Sequence, residues 1–357
     1  MSEPLVIQSH KGPYAVSFRD DLLRDPGCLL EGEPHFLVDA NVARLYAKPL
    51  DSILAHPNLI VIDATEANKS LERTIPVFER LVKNKVRRSH VLVAVGGGIV
   101  QDITCFIAST LLRGLPWRFA PTTLLSQADS CIGSKSSINL GDTKNILGTF
   151  NPPQQVVVAT EFLDSLERKD IQSGVGEILK VHAIDGASSF DRLAADFDSL
   201  LTNRTLLMQY IRSALLIKKR FIEQDEFDLG IRNIFNYGHS FGHAIESATG
   251  YSIPHGIAVS IGMDMANYIA AERGMVPRSQ FQRMHATLRK NYGDFAGTPI
   301  PSEALLAALM KDKKNTSTML GLILPSGEDA SIQRVQLAPD DAFRAQCSRY
   351  LMEELGE

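Results

Sequence analysis

The run Val91-Leu92-Val93-Ala94-Val95 passes directly into Gly96-Gly97-Gly98, then Ile99-Val100-Gln101-Asp102 and an apolar helical pattern from Ile103 to Leu112. Strand, glycine turn and helix in that order make half of a βαβ unit, because a parallel strand needs a crossover before it can pair. Such a turn can offer backbone N–H groups and the positive end of a helix to a pyrophosphate. Three glycines also satisfy a tight turn on backbone grounds alone, and the spacing is not the usual G-x-G-x-x-G of dinucleotide sites.

Other short apolar runs precede it, Phe36-Leu37-Val38 and Leu59-Ile60-Val61-Ile62, with amphipathic segments between. Leu71, Val77, Phe78 and Leu81 recur at helical spacing just after Ser70, a candidate N-cap, which predicts a crossover helix there. From about Leu163 the strand-like runs cease and three- and four-residue spacing takes over, as in Leu206, Tyr210, Ile211, Ala214, Leu215 and Ile217. The expected fold is α/β. A Rossmann-like parallel-sheet domain over residues 1–165 is followed by an all-helical domain over 166–357, and a chain of 357 residues suits two cores better than one.

Composition narrows the function classes. With 44% hydrophobic and 22% charged residues the chain falls in the globular range, and a net charge of −4 gives no reason to expect nucleic acid as partner. Cys28, Cys105, Cys131 and Cys347 lack any Cys-x-x-Cys pairing, so they read as reduced thiols. No basic, apolar leader opens the sequence, and Asp264 interrupts the apolar stretch that starts at Ile257. The expectation is a cytoplasmic enzyme that does not enter a membrane.

Candidate metal ligands are Glu177, His239, His243 and His255. A catalytic zinc site takes about three protein ligands and leaves a position for substrate. Spacing alone favours His239 and His243, four apart on one helical face. His10, His35, His56, His90 and His285 have no such company, and His182, beside Lys180, is open between the two readings. Cations gather along the same stretch at Lys135, Lys144, Lys180, Lys218, Arg232 and Lys313-Lys314, which in an acidic protein suits a small anionic substrate. A single lysine is ordinarily just solvated surface, but the apolar flanks of Lys180 and Lys218 argue for partners.

The motifs together resemble those of 3-dehydroquinate synthase and its sugar phosphate cyclase relatives. The resemblance runs through Gly96-Gly97-Gly98-x-x-x-Asp102, Arg113-Gly114, Pro121-Thr122-Thr123-Leu124-Leu125, Asp129-Ser130, Lys135 and Lys144-Asn145. It continues through Gly176-Glu177-Ile178-Leu179-Lys180, Gly230-Ile231-Arg232, Asn236-Tyr237-Gly238-His239, Gly242-His243-Ala244-Ile245-Glu246, His255-Gly256 and Asp312-Lys313-Lys314, all in collinear order.

That likeness implies a metal held by Glu177, His239 and His255, zinc or else cobalt, with His243 turned to the substrate. It implies that Asp129, Lys135, Asn145, Lys180, Lys218, Arg232, Asn236 and Lys313 or Lys314 line the substrate, with Lys135, Lys180, Asn236 and His243 nearest the chemistry. Arg113 resembles an arginine that reaches the phosphate bound by a neighbouring subunit, hence a homodimer. NAD contacts carry over to Asp39, Glu66, Lys69, Gly97, Gly98, Asp102, Thr122, Thr123, Asp129 and Lys144. A carboxylate at Glu66 for the ribose hydroxyls favours NAD over its 2′-phosphorylated form.

The implied activity is cyclisation of 3-deoxy-D-arabino-heptulosonate 7-phosphate. It proceeds by transient alcohol oxidation, phosphate elimination, re-reduction, ring opening and intramolecular aldol closure. Alternatives are an aminodehydroquinate- or cyclitol-forming relative, or a metal-dependent alcohol or glycerol dehydrogenase, which would lack the Lys135 to Asn145 loop. Three positions depart from the family pattern: Gln101 and Ser134 stand where it has glycine, and Ile257 where it often has glutamate.

Overall fold

The computed structural model describes residues 3–141, 143–311, 315–316 and 318–356. By its contacts the chain forms two units, Met1–Leu166 with Lys218–Phe227, and Glu167–Ile217 with Asp228–Glu357. The sequence gives no sign that residues 218–227 return to the first unit, because they continue the long helix Arg204–Gln224.

In the first unit seven strands build one sheet: β1 (Leu5–Ile7), β2 (Tyr14–Phe18), β3 (Pro34–Asp39), β4 (Leu59–Ile62), β5 (Val91–Gly96), β6 (Trp117–Pro121) and β9 (Gln155–Val158). Their order is β1-β2-β9-β6-β5-β3-β4, all parallel except the β1–β2 pair at one edge. Strands buried on both faces read as continuous apolar runs, which is why Val91–Val95 shows no alternation. Phe36, Val38, Val93, Val95, Val157 and Phe162 pack into one core with Leu22 and Leu29. The expected crossover helix spans Leu71–Lys83, and the Ser70 hydroxyl accepts from Arg73 N at its start.

Chain order reverses between β3 and β5, since the chain steps out to β4 and returns to the other side of β3. Open α/β sheets bind ligands at such a switch point, outside the carboxyl ends of the strands. Here those ends are Asp39 and Gly96. A separate hairpin, β7 (Lys135–Leu140) and β8 (Thr143–Phe150), carries Lys135, Lys144 and Asn145.

The second unit is built on the helix His255–Glu272, buried continuously from Gly256 to Ala270. Such an all-round apolar helix belongs at the centre of a core, and helices Arg168–Asp185, His239–Ala248 and Arg278–Tyr292 pack against it. Asp264, the charge that interrupts its apolar run, is fully buried and accepts from His285 Nδ1 (2.8 Å), the Tyr292 hydroxyl (2.7 Å) and the Tyr350 hydroxyl (2.9 Å).

Among the described residues the unit's regular structure is helical apart from one hairpin, β10 (Leu320–Ser326) with β11 (Ser331–Leu337). The expectation of an all-helical second domain overlooks it, because the short buried run Leu320 to Pro325 has no alternation to separate it from a helix. Among the described residues no helix is long and apolar enough to cross a membrane. Cys105, Cys131 and Cys347 are buried free thiols, each pushed up to about 12 by burial.

Candidate active site

On the first unit the glycine turn caps the helix Gly98–Thr110, with Gly97 at its N-cap position. A Cβ on Gly97 would stand 3.0 Å from Thr123 Cγ2, so glycine lets the turn lie against the Thr122-Thr123 loop. The first N–H groups of that helix have no partner inside the helix, and an anion can take them. Asp39 closes β3 and caps the next helix, its Oδ1 accepting from Asn41 N at 2.7 Å.

Glu66, Lys69, Asp102 and Asn145 form one polar cluster. Lys69 is buried, and its Nζ lies 3.1 Å from Asp102 Oδ2, 2.7 Å from Asn145 Oδ1 and 4.0 Å from Glu66 Oε1. Burial raises the Asp102 carboxyl, and Lys69 opposes that shift. Asn145 adopts a left-handed φ of 52° and donates its N–H to Asn139 Oδ1 at 2.8 Å. The other end of the Asn139 amide donates to Glu66 Oε1 at 2.9 Å. Sequence reasoning missed Asn139, whose only signal is a polar residue inside an otherwise strand-like run.

Thr122 is buried behind Gly96, donating its N–H to the Gly96 carbonyl at 2.9 Å. Asp129 sits in the turn Ser126–Ser130 and takes the buried Lys218 Nζ at 2.8 Å through Oδ1, with the same Nζ donating to the Asp129 carbonyl at 2.5 Å. Lys135 and Lys144 are exposed on the hairpin, and Arg113 is exposed with φ 65° in the bend Leu111–Arg113. Gln101, one of the departures, links the glycine-turn helix to the Asp129 turn: its Nε2 donates to Ser130 O and its Oε1 accepts from Ser130 Oγ, both at 2.6 Å.

The second unit gathers the metal candidates. Glu177 and Lys180 lie on the helix Arg168–Asp185, His239 and His243 open the helix His239–Ala248 behind Gly238, and His255 opens the helix His255–Glu272 behind Pro254. Glu177 Oε1 is 3.5 Å from His239 Nε2 and 3.3 Å from His255 Nε2. Two atoms bound to a tetrahedral zinc at about 2.0–2.1 Å stand about 3.3–3.4 Å apart, so these separations fit a shared ion. The second Glu177 oxygen takes Lys180 Nζ at 2.5 Å, and both residues are almost fully buried.

Nδ1 of His239 lies 3.3 Å from the Tyr237 carbonyl and Nδ1 of His255 lies 3.1 Å from Glu246 Oε2. Both contacts assign the proton to Nδ1 and leave Nε2 as a donor for a metal. Burial alone would raise the Glu177 carboxyl, but Lys180 and the two histidines hold it well below the usual carboxylate range. Burial and the nearby Lys180 push His239 well down, whereas hydrogen bonds to Glu177 and Glu246 overcome burial and bring His255 to about 10, so a metal that takes its Nε2 must displace a proton from that atom. His243 offers a further donor: ring nitrogens of His239, His243 and His255 lie within 4.8 Å of one another.

Glycines let these helices approach closely enough. A Cβ on Gly256 would fall 1.8 Å from the Ser173 carbonyl oxygen, and one on Gly176 would fall 2.0 Å from that of Gly256. Gly256→Ala is therefore expected to push the Glu177 helix away from His255. Overpacking of this kind costs about 1–3 kcal/mol. A chemical melt should show that loss, with turnover down roughly tenfold or more as the donors separate; unchanged turnover would contradict the dependence on close packing.

Arg232 and Asn236 occupy the turn Ile231–Asn236, with Arg232 buried and Asn236 Nδ2 donating to Asn233 O at 3.1 Å. Phe235 of the same turn lies under Lys180 Nζ, 5.7 Å from the ring centroid. Lys313 and Lys314 lie outside the described residues. His182 bonds the Ile178 carbonyl and Ser213 Oγ, which gives it a structural place away from the donor cluster. His10 contacts Glu226, His35 pairs with His90, His56 accepts from Asn58 N and His285 serves Asp264.

Comparisons with known proteins agree with the motifs. The 3-dehydroquinate synthase N-terminal family model matches residues 59–173 and the C-terminal model matches residues 174–315. A 3-dehydroquinate synthase of Alkaliphilus metalliredigens (strain QYMF) is 33% identical over 95% of this chain and 97% of its own. One of Dictyoglomus turgidum (strain DSM 6724 / Z-1310) is 37% identical over 81% of each chain. Among solved structures, ValA, the 2-epi-5-epi-valiolone synthase of Streptomyces hygroscopicus subsp. jinggangensis 5008 with NAD+ and Zn2+ bound, superposes with a TM-score of 0.82 at 26% identity, covering 95% of this chain and 96% of that one. The chain belongs to the 3-dehydroquinate synthase family.

Proposed function

We propose that this protein converts 3-deoxy-D-arabino-heptulosonate 7-phosphate into 3-dehydroquinate and inorganic phosphate, with NAD+ and a divalent metal, Zn2+ or in its place Co2+. The observation that carries this reading is the donor set, Glu177 Oε1 within 3.5 Å of both His239 Nε2 and His255 Nε2, in a chain of this family. When bound, the metal acidifies a substrate hydroxyl, and the nucleotide takes up a hydride and gives it back within the same turnover.

The protein's own groups hold charge and geometry. Glu177 offers one oxygen to the ion while Lys180 occupies the other at 2.5 Å, which keeps the carboxylate ionised and places a cation beside the reacting end of the substrate. His243 supplies a ring nitrogen for a substrate hydroxyl proton, and Asn236 orients that end. Lys218, steadied by Asp129, and Arg232 supply charge for the carboxylate, Lys135 joins Lys180 in stabilising charge, and Asn145 with Lys313 or Lys314 lines the substrate. Much of the remaining proton traffic falls to the substrate phosphate.

Glu66, with one oxygen on Asn139, keeps the other for ribose hydroxyls and repels a 2′-phosphate. Lys69, Asp102, Lys144, Asp39, Asp129, the Gly97-Gly98 turn and Thr122-Thr123 complete the nucleotide contacts. Arg113 reaches the phosphate held by a second copy, so the working form is a homodimer. Free, buried thiols suit the reducing cytoplasm as its compartment.

A substrate panel tests the reading. Purified protein with NAD+ and Zn2+ is expected to release phosphate from the heptulosonate phosphate at least about a hundredfold more efficiently than from heptulose 7-phosphate or glucose 6-phosphate, because buried cations left without a carboxylate penalise the analogue. Phosphate from the carboxylate-free sugars alone would move the assignment to a cyclitol-forming branch.

A further inference from the structure

One imidazole in the second unit is bracketed by two carboxylates. Glu177 Oε1 lies 3.3 Å from His255 Nε2, and Glu246 Oε2 lies 3.1 Å from Nδ1 of the same ring. His255 is the first residue of its helix, and its side chain remains 35% exposed. The χ2 torsion of a histidine is broad, so a ring in that position needs an outside contact to hold its plane. Glu246, at 14% exposure, provides one from the helix that begins with His239, seven residues and two turns further along the same face. Ile257, two residues after His255, is fully buried in the apolar core and supplies no polar contact.

We propose that Glu246 is a positioning residue of the metal centre, whose carboxylate sets the tautomer and plane of His255 and strengthens binding of a divalent cation. The proposal rests on the reading of Glu177, His239 and His255 as ligands. Charge supports it as well as geometry. Lys180, in contact with Glu177, opposes a dication, and the carboxylate of Glu246 offsets that cation. The equivalent support for His239 is the neutral Tyr237 carbonyl at a longer 3.3 Å, so among the described residues Glu246 brings a negative charge behind His255 that His239 does not have. A carboxylate on the far nitrogen of a ligand histidine raises its basicity, and losing it typically weakens metal binding 10- to 100-fold.

The test reads the metal alone. Affinity for Co2+ is measured by competition with a chromogenic chelator for the wild type, Glu246→Gln, Glu246→Ala and His255→Ala, alongside the cobalt absorption spectrum and NAD+ affinity. For Glu246→Gln the expected result is a Co2+ dissociation constant raised about 10- to 100-fold, a shifted cobalt spectrum, unchanged NAD+ affinity and turnover rescued by excess metal. A merely structural fault would not yield to excess metal, so failed rescue overturns the role. An unaffected Glu246→Gln beside a weakened His255→Ala overturns the role of Glu246 alone. Equal Co2+ binding by wild type and His255→Ala overturns the ligand assignment itself.

Discussion

His255→Ala is expected to lower phosphate release by roughly a thousandfold or more, equivalent to about 4 kcal/mol of lost transition-state stabilisation. The substitution removes the ring whose Nε2 stands 3.3 Å from Glu177 Oε1 and leaves a two-donor site, too few for a catalytic zinc. Glu177, His239 and Lys180 sit on other helices and keep their places, so NAD+ affinity should hold. Initial rates at saturating NAD+ and metal decide the matter. Near-normal turnover would transfer the ion to another donor set, and His243, within 4.8 Å of the other imidazoles, is the group that would take over.

Lys180→Met should produce an effect of comparable size by a different route. Lys180 and Glu177 form an ion pair with both members almost fully buried. Removing one partner of such a pair leaves the other charged and uncompensated, which costs about 3–5 kcal/mol. Metal-free protein should show that loss in a denaturant melt. Added Zn2+ should recover much of it, because the ion binds only the folded state and replaces the missing cation beside Glu177. Turnover should still fall by about two orders of magnitude, since the proposed role of Lys180 is to hold charge on the substrate. Stability and turnover both near wild type would remove Lys180 from the site.

The parallel sheet and its glycine turn were legible because strands buried on both faces appear as unbroken apolar runs, and Val91 to Val95 leads straight into the glycines that end β5. The hairpin β10–β11 was not, since a short apolar run such as Leu320 to Pro325 fits a buried helix equally well. Asp264 read as a break in an apolar stretch. It is an interior carboxylate whose three donors come from positions 21 to 86 residues away, contacts no local pattern announces.

The site divides in the same way. Spacing could bring His239 and His243 together but not Glu177 and His255, which meet only because Gly176, Gly256 and Ser173 let two helix backbones touch. Asn139 escaped notice and Glu246 stood in the histidine motif without a role, because the work of each is to hold another side chain, Glu66 in one case and His255 in the other. Two departures from the family pattern have physical readings. Gln101 ties its helix to Ser130, and Ile257 fills the core beside His255 and leaves the polar contact to Glu246.

The central claim is a redox cycle that closes on itself within one turnover. Phosphate and reduced nicotinamide should be followed together while the protein, with NAD+ and Zn2+, acts on the heptulosonate phosphate through many turnovers. The account predicts phosphate and dehydroquinate rising in step while reduced nucleotide never exceeds the enzyme concentration. Reduced nucleotide accumulating with turnover, or forming from a simple alcohol without phosphate release, would contradict it.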